Sequence, residues 1–170
     1  EKIKNFFVNN KSKLISGIII LIFLLIAVFS YDKYLINKNK ELSDKFNSII
    51  IDYSEKTKDQ TSRSLIEIIN KKDPTYSPLS LYFIIDNNLV TDRSKINSLF
   101  DLLIKNTSLD SEIKNLIIYK KALYNADNAQ ESDLLNMLNP IINSKSVWKS
   151  HSLYLMAEYF YANNQKQKAK

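Results

Sequence analysis

Residues 14–31 read LISGIIILIFLLIAVFSY, eighteen residues without a charge, interrupted only by Ser16, Gly17 and Ser30 and closed by Tyr31. No other feature restricts the chain as much. A soluble protein that buried such a helix on all sides would need to be far larger than this one. A helix of about 20 apolar residues crosses the hydrocarbon core, and an uncharged run of about 18 is already a spanning candidate. The run therefore predicts a single transmembrane helix over 14–31, anchored through Leu14, Ile20, Leu25, Phe29 and Tyr31. Tyr31 and Tyr34 fall where an interfacial aromatic belt belongs. A cleaved signal peptide has a shorter apolar region with small residues before the cut. Here Ala27-Val28-Phe29 puts a bulky ring at that point and a helical pattern continues, so an uncleaved anchor is expected.

The flanks carry charge. The chain has a net charge of +6, and Lys2, Lys4, Lys11 and Lys13 sit just before the run. That placement suits anionic lipid headgroups. The remaining lysines are scattered among acids rather than gathered into a stripe, which argues against nucleic-acid binding. Lys33, Lys38, Lys40 and Lys45 follow the run, so basic residues alone do not set the orientation. Because long following domains translocate largely regardless of charge, the N-terminus is expected inside and the following domain outside. Four segments are expected: a basic leader at 1–13, the span at 14–31, stalk and linking helices at 32–72, and a helical domain at 73–170. The chain begins at Glu1 rather than Met and ends at Lys170 within a helical pattern, so it is expected to be a piece of a longer one.

Past the run, apolar residues recur at helical spacing. Leu35, Leu42, Phe46, Ile49, Ile50 and Tyr53 extend the first helix as a stalk to about Tyr53. A short helix is expected to bury Leu65, Ile66, Ile68 and Ile69. The break at residues 73–78 (DPTYSP) predicts a new helix with Ser77 as cap and Pro78 at the first helical position, running to about Leu89. Ile96, Leu99, Phe100 and Leu103 mark the next. Asp110 caps another, carrying Ile113, Leu116, Ile117, Leu123 and Tyr124. Leu134, Leu135, Leu138, Ile141 and Ile142 follow, with Pro140 near the helix end. Trp148, Leu155, Met156 and Tyr159 mark the last. Strand alternation is absent, and the fold class is all-α.

The turns are rich in asparagine, at Asn87-Asn88, Asn106, Asn125, Asn128 and Asn163-Asn164. With Gly17 as the only glycine, Asn is the residue that best tolerates the left-handed conformation ending a helix. Short turns between amphipathic helices imply antiparallel hairpins. Hairpins start near Ser77, Ser111 and Trp148, 34 and 37 residues apart, close to the tetratricopeptide (TPR) period. A TPR-like stack is expected, in which neighbouring hairpins supply the core and leave a concave groove.

The composition excludes much chemistry. Without cysteine there is no disulfide, zinc-thiolate cluster or thiol nucleophile. The lone glycine rules out a phosphate-binding Gly-rich loop. His151 is the only histidine, and it is read as structural or superficial. Asp52 with Glu55, and Asp127 with Glu131 and Asp133, are carboxylates at helical or loop spacing. Acid–base chemistry would need two of them in a cleft with separated pKa values, and solvated faces explain them more simply. No enzyme, cofactor or metal site is expected. Tyrosine is amphipathic and enriched at binding surfaces. Among the many aromatics, Tyr82, Tyr119 and Tyr154 are the candidates for partner contact in the groove.

Three stretches carry a family resemblance. Residues 1–11 (EKIKNFFVNNK) form a short basic-aromatic leader. Tyr31-Asp32-Lys33-Tyr34 forms an aromatic exit from the run. Trp148, Ala157-Glu158 and Ala169-Lys170 form a C-terminal repeat, with Ala157 where the family has glycine. In these features and in the order of its elements the chain resembles the bacterial YfgM-like family of TPR-like inner-membrane proteins, ancillary subunits of the Sec translocon. The resemblance implies a single-pass inner-membrane protein with a cytoplasmic N-terminus and a periplasmic helical domain. It also implies association with SecYEG and handover of exported proteins to periplasmic chaperones. The alternative is a structural scaffold or assembly factor of another envelope complex, in which stalk and hairpins form a homo-oligomer.

Overall fold

The structure, a computed structural model, describes the backbone of residues 2–169. It describes the side chains of residues 10–11, 13, 15–17, 19–31, 33–34, 36–37 and 39–169. Leu14, Leu35, Lys2 and Lys4, named above, therefore have side chains outside the described residues. The described residues are helical and contain no strand. The helices are α1 (Lys2–Ile51), α2 (Lys58–Asn70), α3 (Tyr76–Asp86), α4 (Arg93–Asn106), α5 (Ser111–Asn125), α6 (Glu131–Ile142) and α7 (Lys149–Ala162), with a short 3-10 turn at Glu55–Thr57 before α2. The chain forms two compact units, Glu1–Lys45 and Phe46–Lys170.

In the first unit, α1 holds Ile15, Ile19, Ile22, Leu25, Val28 and their neighbours exposed, with Phe23 and Phe29 the most open at 69% and 70%. Among the described residues no helix is long and apolar enough to cross a membrane. The span expected at 14–31 is not met on those residues, because Leu14 and Ile18 lie inside the run but outside the described side chains.

The second unit is built by sequential packing: α2 on α3, α3 on α4, α4 on α5, α5 on α6 and α6 on α7, with α5 also touching α7. Connections of four to six residues between these helices enforce antiparallel neighbours. α2 packs on α3, so it belongs to this unit rather than to a linking segment. The central stripe of α4 (Ile96, Leu99, Phe100, Leu103) is buried, as its spacing predicts. A matching stripe lies in α6 at Leu134, Leu138 and Ile141. The two are in strict register, 38 residues apart: from 96 to 134, from 100 to 138 and from 103 to 141. Around the second stripe, Ala122 of α5 and Leu155 and Met156 of α7 complete one core cluster.

Other expectations need correcting. α1 ends at Ile51 and α3 at Asp86, each short of the expected boundary. Ile66 is only partly buried beside the buried Leu65, Ile68 and Ile69. Ile113 and Leu123 of α5 are exposed, because the inward stripe of that helix runs through Ile117 and Ala122. Asp110 does cap α5, accepting from the Glu112 amide. Asp92 caps α4 in the same way, accepting from the amides of Ser94 and Lys95.

Helix ends show how the chain turns almost without glycine. At the end of α3, the Asn88 amide donates to Ile85 and the Leu89 amide to Ile84. Asn88 has a positive φ of 49°. This is a Schellman closure, sealed by apolar contact between the residues that flank it, here the buried Leu89 and Ile84. Asn164 repeats it after α7, with its own amide bonded to Tyr161 and the Gln165 amide to Phe160.

The end of α2 is different. Lys72 holds the left-handed position at φ 56°, and its amide donates to Ile69. The second bond of the motif is replaced by a relay. The Asp73 amide donates to the Ser77 hydroxyl at 2.9 Å, and that hydroxyl donates to the Ile68 carbonyl at 2.9 Å. Ser77 is thus not the helix cap. It lies inside the first turn of α3, fully buried, and stitches α2 to α3. The capping acceptor is Asp73, which receives the amides of Thr75 and Tyr76. Removing the Ser77 hydroxyl leaves the part-buried Asp73 amide without its acceptor, while the Ile68 carbonyl keeps only its bond from the Lys71 amide, at a cost of about 1–3 kcal/mol. Lys72→Gly relieves a left-handed cost of about 1–2 kcal/mol, less the glycine's greater unfolded-state entropy. In urea titrations of the full chain in detergent, Ser77→Ala is expected to lower the midpoint and Lys72→Gly to raise it slightly.

Candidate functional site

The three tyrosines proposed from the sequence fall on three helices. Tyr82 is on α3, Tyr119 on α5 and Tyr154 on α7. Among the described residues no ring pairing joins them to one another, and they differ in exposure.

Tyr82 is not an open groove residue. It is partly buried, and its hydroxyl is enclosed without a hydrogen-bond partner. Burial pushes its phenol up to about 12. The Lys120 ammonium of α5 lies over its ring, 4.5 Å from the centroid. A cation on a partly desolvated aromatic face is attractive by about 1 kcal/mol, so Tyr82 ties α3 to α5. Groove exposure was expected of Tyr82, and spacing carries no information about the long side chain of another helix that covers it.

Tyr119 is the centre of an aromatic cluster. Its ring stacks on Trp148 at 6.0 Å with an interplanar angle of 19°. His151 meets Trp148 at 5.3 Å and Tyr119 edge-on at 6.0 Å. This gives the lone histidine a structural setting on the outer face of α7. The loop before α7 is fixed from below by α5. Glu112 accepts from the Ser146 hydroxyl at 2.7 Å and from the Val147 amide at 3.1 Å, which sets Trp148 against Tyr119.

Tyr154 is 65% exposed, and of the three it alone offers its ring openly. A hydrogen bond to Glu158 raises its phenol above the usual value. Leu153 and Tyr161 are exposed beside it on α7, at 47% and 64%. α7 is therefore apolar on two sides, one packed on α5 and α6 and one open.

Between the C-terminal halves of α5 and α7 lies a cleft of about 450 Å³. Its walls include Leu123 and Ala126 of the α5 end, Leu155 and Tyr159 of α7, and the carboxylates Asp127 and Glu158. The Tyr159 hydroxyl donates to the Ala129 carbonyl at 3.1 Å and so fixes the ring that forms one wall. On the other side of α5 lies a polar cleft of about 470 Å³ beside α4 and α6. There Asn97 and Asn125 exchange two amide hydrogen bonds of 3.0 and 2.8 Å, and Lys121 donates to Asp101 at 2.8 Å. Partial burial opposes ionisation of Asp101. The hydrogen bond and charge of Lys121, with the charge of Lys105, outweigh that and hold its carboxyl below the usual range.

The carboxylates weighed for chemistry are dispersed. Glu131 is engaged by Lys168 at 2.8 Å, which lowers its pKa. Asp52 receives the Ser48 hydroxyl at 3.4 Å. Among the described residues no group of three His, Asp or Glu side chains is placed to hold a metal ion. The described residues thus offer two clefts, an aromatic cluster around Tyr119 and an open side of α7. No family model matches the chain, and no curated protein or solved structure matches it.

The raised phenol of Tyr82 gives a pH signature. The folded state holds this proton more tightly than the unfolded chain does, so stability is complete below about pH 10 and falls as pH rises from about 10 to about 12. Denaturation midpoints measured across that window are expected to decline. Tyr82→Phe, which also removes the partnerless hydroxyl, is expected to flatten the decline without weakening the fold at neutral pH.

Proposed function

We propose that the protein is a membrane-anchored, TPR-like module that binds other proteins. It acts as an ancillary subunit at the Sec translocon that aids handover of exported proteins to periplasmic chaperones. The observation that carries the reading is the contrast between the two parts of the chain. Residues 19–31 of α1 expose their side chains throughout, and residues 14–31 of the sequence hold no charge. As a helix those eighteen residues rise about 27 Å, close to the roughly 30 Å of a hydrocarbon core. Water does not tolerate that surface and lipid does. The second unit is, by contrast, a closed core of stacked hairpins.

The TPR-like reading is supported by the 38-residue register between the stripes of α4 and α6. It is further supported by helix starts 35 and 38 residues apart, at Tyr76, Ser111 and Lys149. In such a stack each hairpin borrows its core from the next, and the exposed faces remain available for partners. The assignment to the translocon, with the N-terminus cytoplasmic and the hairpins periplasmic, rests on the YfgM-like features of the leader, the run exit and the C-terminal repeat. Tethering at the exit site would raise the local concentration of the module around emerging chains.

A second reading, a scaffold that joins its own copies or another envelope complex, is favoured by the open apolar side of α7 at Leu153 and Tyr161. In-cell photocrosslinking from positions 34 and 154 separates the two. The translocon reading expects capture of translocon subunits from position 34 and of exported proteins or chaperones from position 154. Capture of this chain's own copies alone from both positions would overturn it in favour of the scaffold.

A further inference from the structure

We propose that the cleft between the C-terminal halves of α5 and α7 is a subsite for a cationic segment: a peptide presenting an arginine or lysine next to an apolar residue. The inference rests on the protein-binding reading above and names the chemistry that this cleft selects.

Charge is the first reason. The chain carries 24 basic residues against 18 acidic ones, yet among the described residues the cleft is lined by Asp127 and Glu158 and by no lysine or arginine. Helix orientation is the second. α5 ends at Asn125 and α7 at Ala162, so both helices direct the negative ends of their dipoles toward the region that the cleft occupies. The C-terminal end of a helix favours a cation. Two such ends, with two carboxylates, act in the same sense.

The remaining walls suit the stem of such a side chain. Leu123, Ala126 and Leu155 supply apolar surface for a methylene chain or an adjacent apolar residue, and long cationic side chains commonly lie along such surface with the charge outward. The Tyr159 ring, fixed by its bond to Ala129, offers an aromatic face. The same unit already uses this chemistry internally. Lys120 lies over Tyr82, Arg93 over Tyr124, and Lys168 over Phe160 while bound to Glu131. The cleft presents the aromatic and acidic half of that pairing, and the partner is expected to bring the cation.

The test uses the full chain in nanodiscs of neutral phosphatidylcholine, so that lipid charge does not attract the probe; empty nanodiscs serve as control. The probes are three fluorescein-labelled peptides in a Gly-Ser background. One carries three Leu-Arg pairs, one has citrulline in place of each Arg, and one has Glu in place of each Arg. Fluorescence anisotropy is expected to show the Leu-Arg peptide binding roughly tenfold tighter than the citrulline peptide, the scale of one charge-assisted hydrogen bond. The Glu peptide is expected not to bind.

Asp127→Asn and Glu158→Gln are each expected to remove most of the Arg-over-citrulline preference while leaving helical content and Trp148 emission unchanged. Equal affinity for the Arg and citrulline peptides, or a preference that survives both substitutions, overturns the assignment. Crosslinking from position 154 in the double variant distinguishes the two levels of the account. If the preference is absent but a partner is still captured, the subsite falls and the binding module stands. If no partner is captured even by the parent chain, the broader reading falls with it.

Discussion

No hairpin in residues 46–170 can bury its own apolar stripe, and the rest of the fold follows from that. α4 must place Ile96, Phe100 and Leu103 against helices on both sides of it, and α6 must do the same with Leu134, Leu138 and Ile141. Full burial of a leucine, isoleucine or phenylalanine side chain stabilises by about 1.5–3 kcal/mol, so these two stripes dominate the core. They repeat at a fixed interval, so the helices between them are constrained to repeat as well. α5 is held in place from both sides, which is why its polar edges, at Glu112, Lys120 and Lys121, are engaged in fixing neighbours.

The near-absence of glycine sets the second constraint. Helices here must end on residues with side chains, and two of the three left-handed positions are asparagine. The third, Lys72, is held by a closure in which Ser77 relays the second bond that a standard one makes directly. The strain of one turn and the buried hydroxyl of the next helix are parts of a single device, and it joins α2 to the stack.

Much of this was legible in the sequence. The stripe of α4, the cap at Asp110, the left-handed turns at Asn88 and Asn164 and the order of the helices follow from spacing and turn chemistry, because those are local properties; Asn106, Asn125 and Asn128 do not take the left-handed conformation expected of them. What was not legible depends on distant partners. Ser77 reads as a cap from its neighbours alone, and only the position of the Ile68 carbonyl, nine residues back, reveals it as a bridge. Tyr82 reads as a groove residue, but it is partly buried and Lys120 covers it from another helix. Leu123 reads as core by period, but the inward stripe of α5 runs through Ile117 and Ala122 and leaves Leu123 on a cleft wall. Asp127 and Glu158 are 31 positions apart in the sequence, and the repeat brings them to one cleft. The strict register of 38 was hidden because the first helix of each hairpin varies while the second does not.

The membrane anchor proposed for residues 14–31 is the central claim of the functional reading. The most direct test is alkaline carbonate extraction of membranes from cells that express the full chain, beside a variant carrying Ile22→Arg and Leu25→Arg. Each arginine near the middle of a span costs about 2.5–3.5 kcal/mol on an insertion scale. The account predicts that the parent chain stays in the membrane pellet and that the variant moves to the supernatant with its helical domain still folded. Release of the parent chain by carbonate would contradict it, because a helix that crosses the bilayer cannot be washed from its surface.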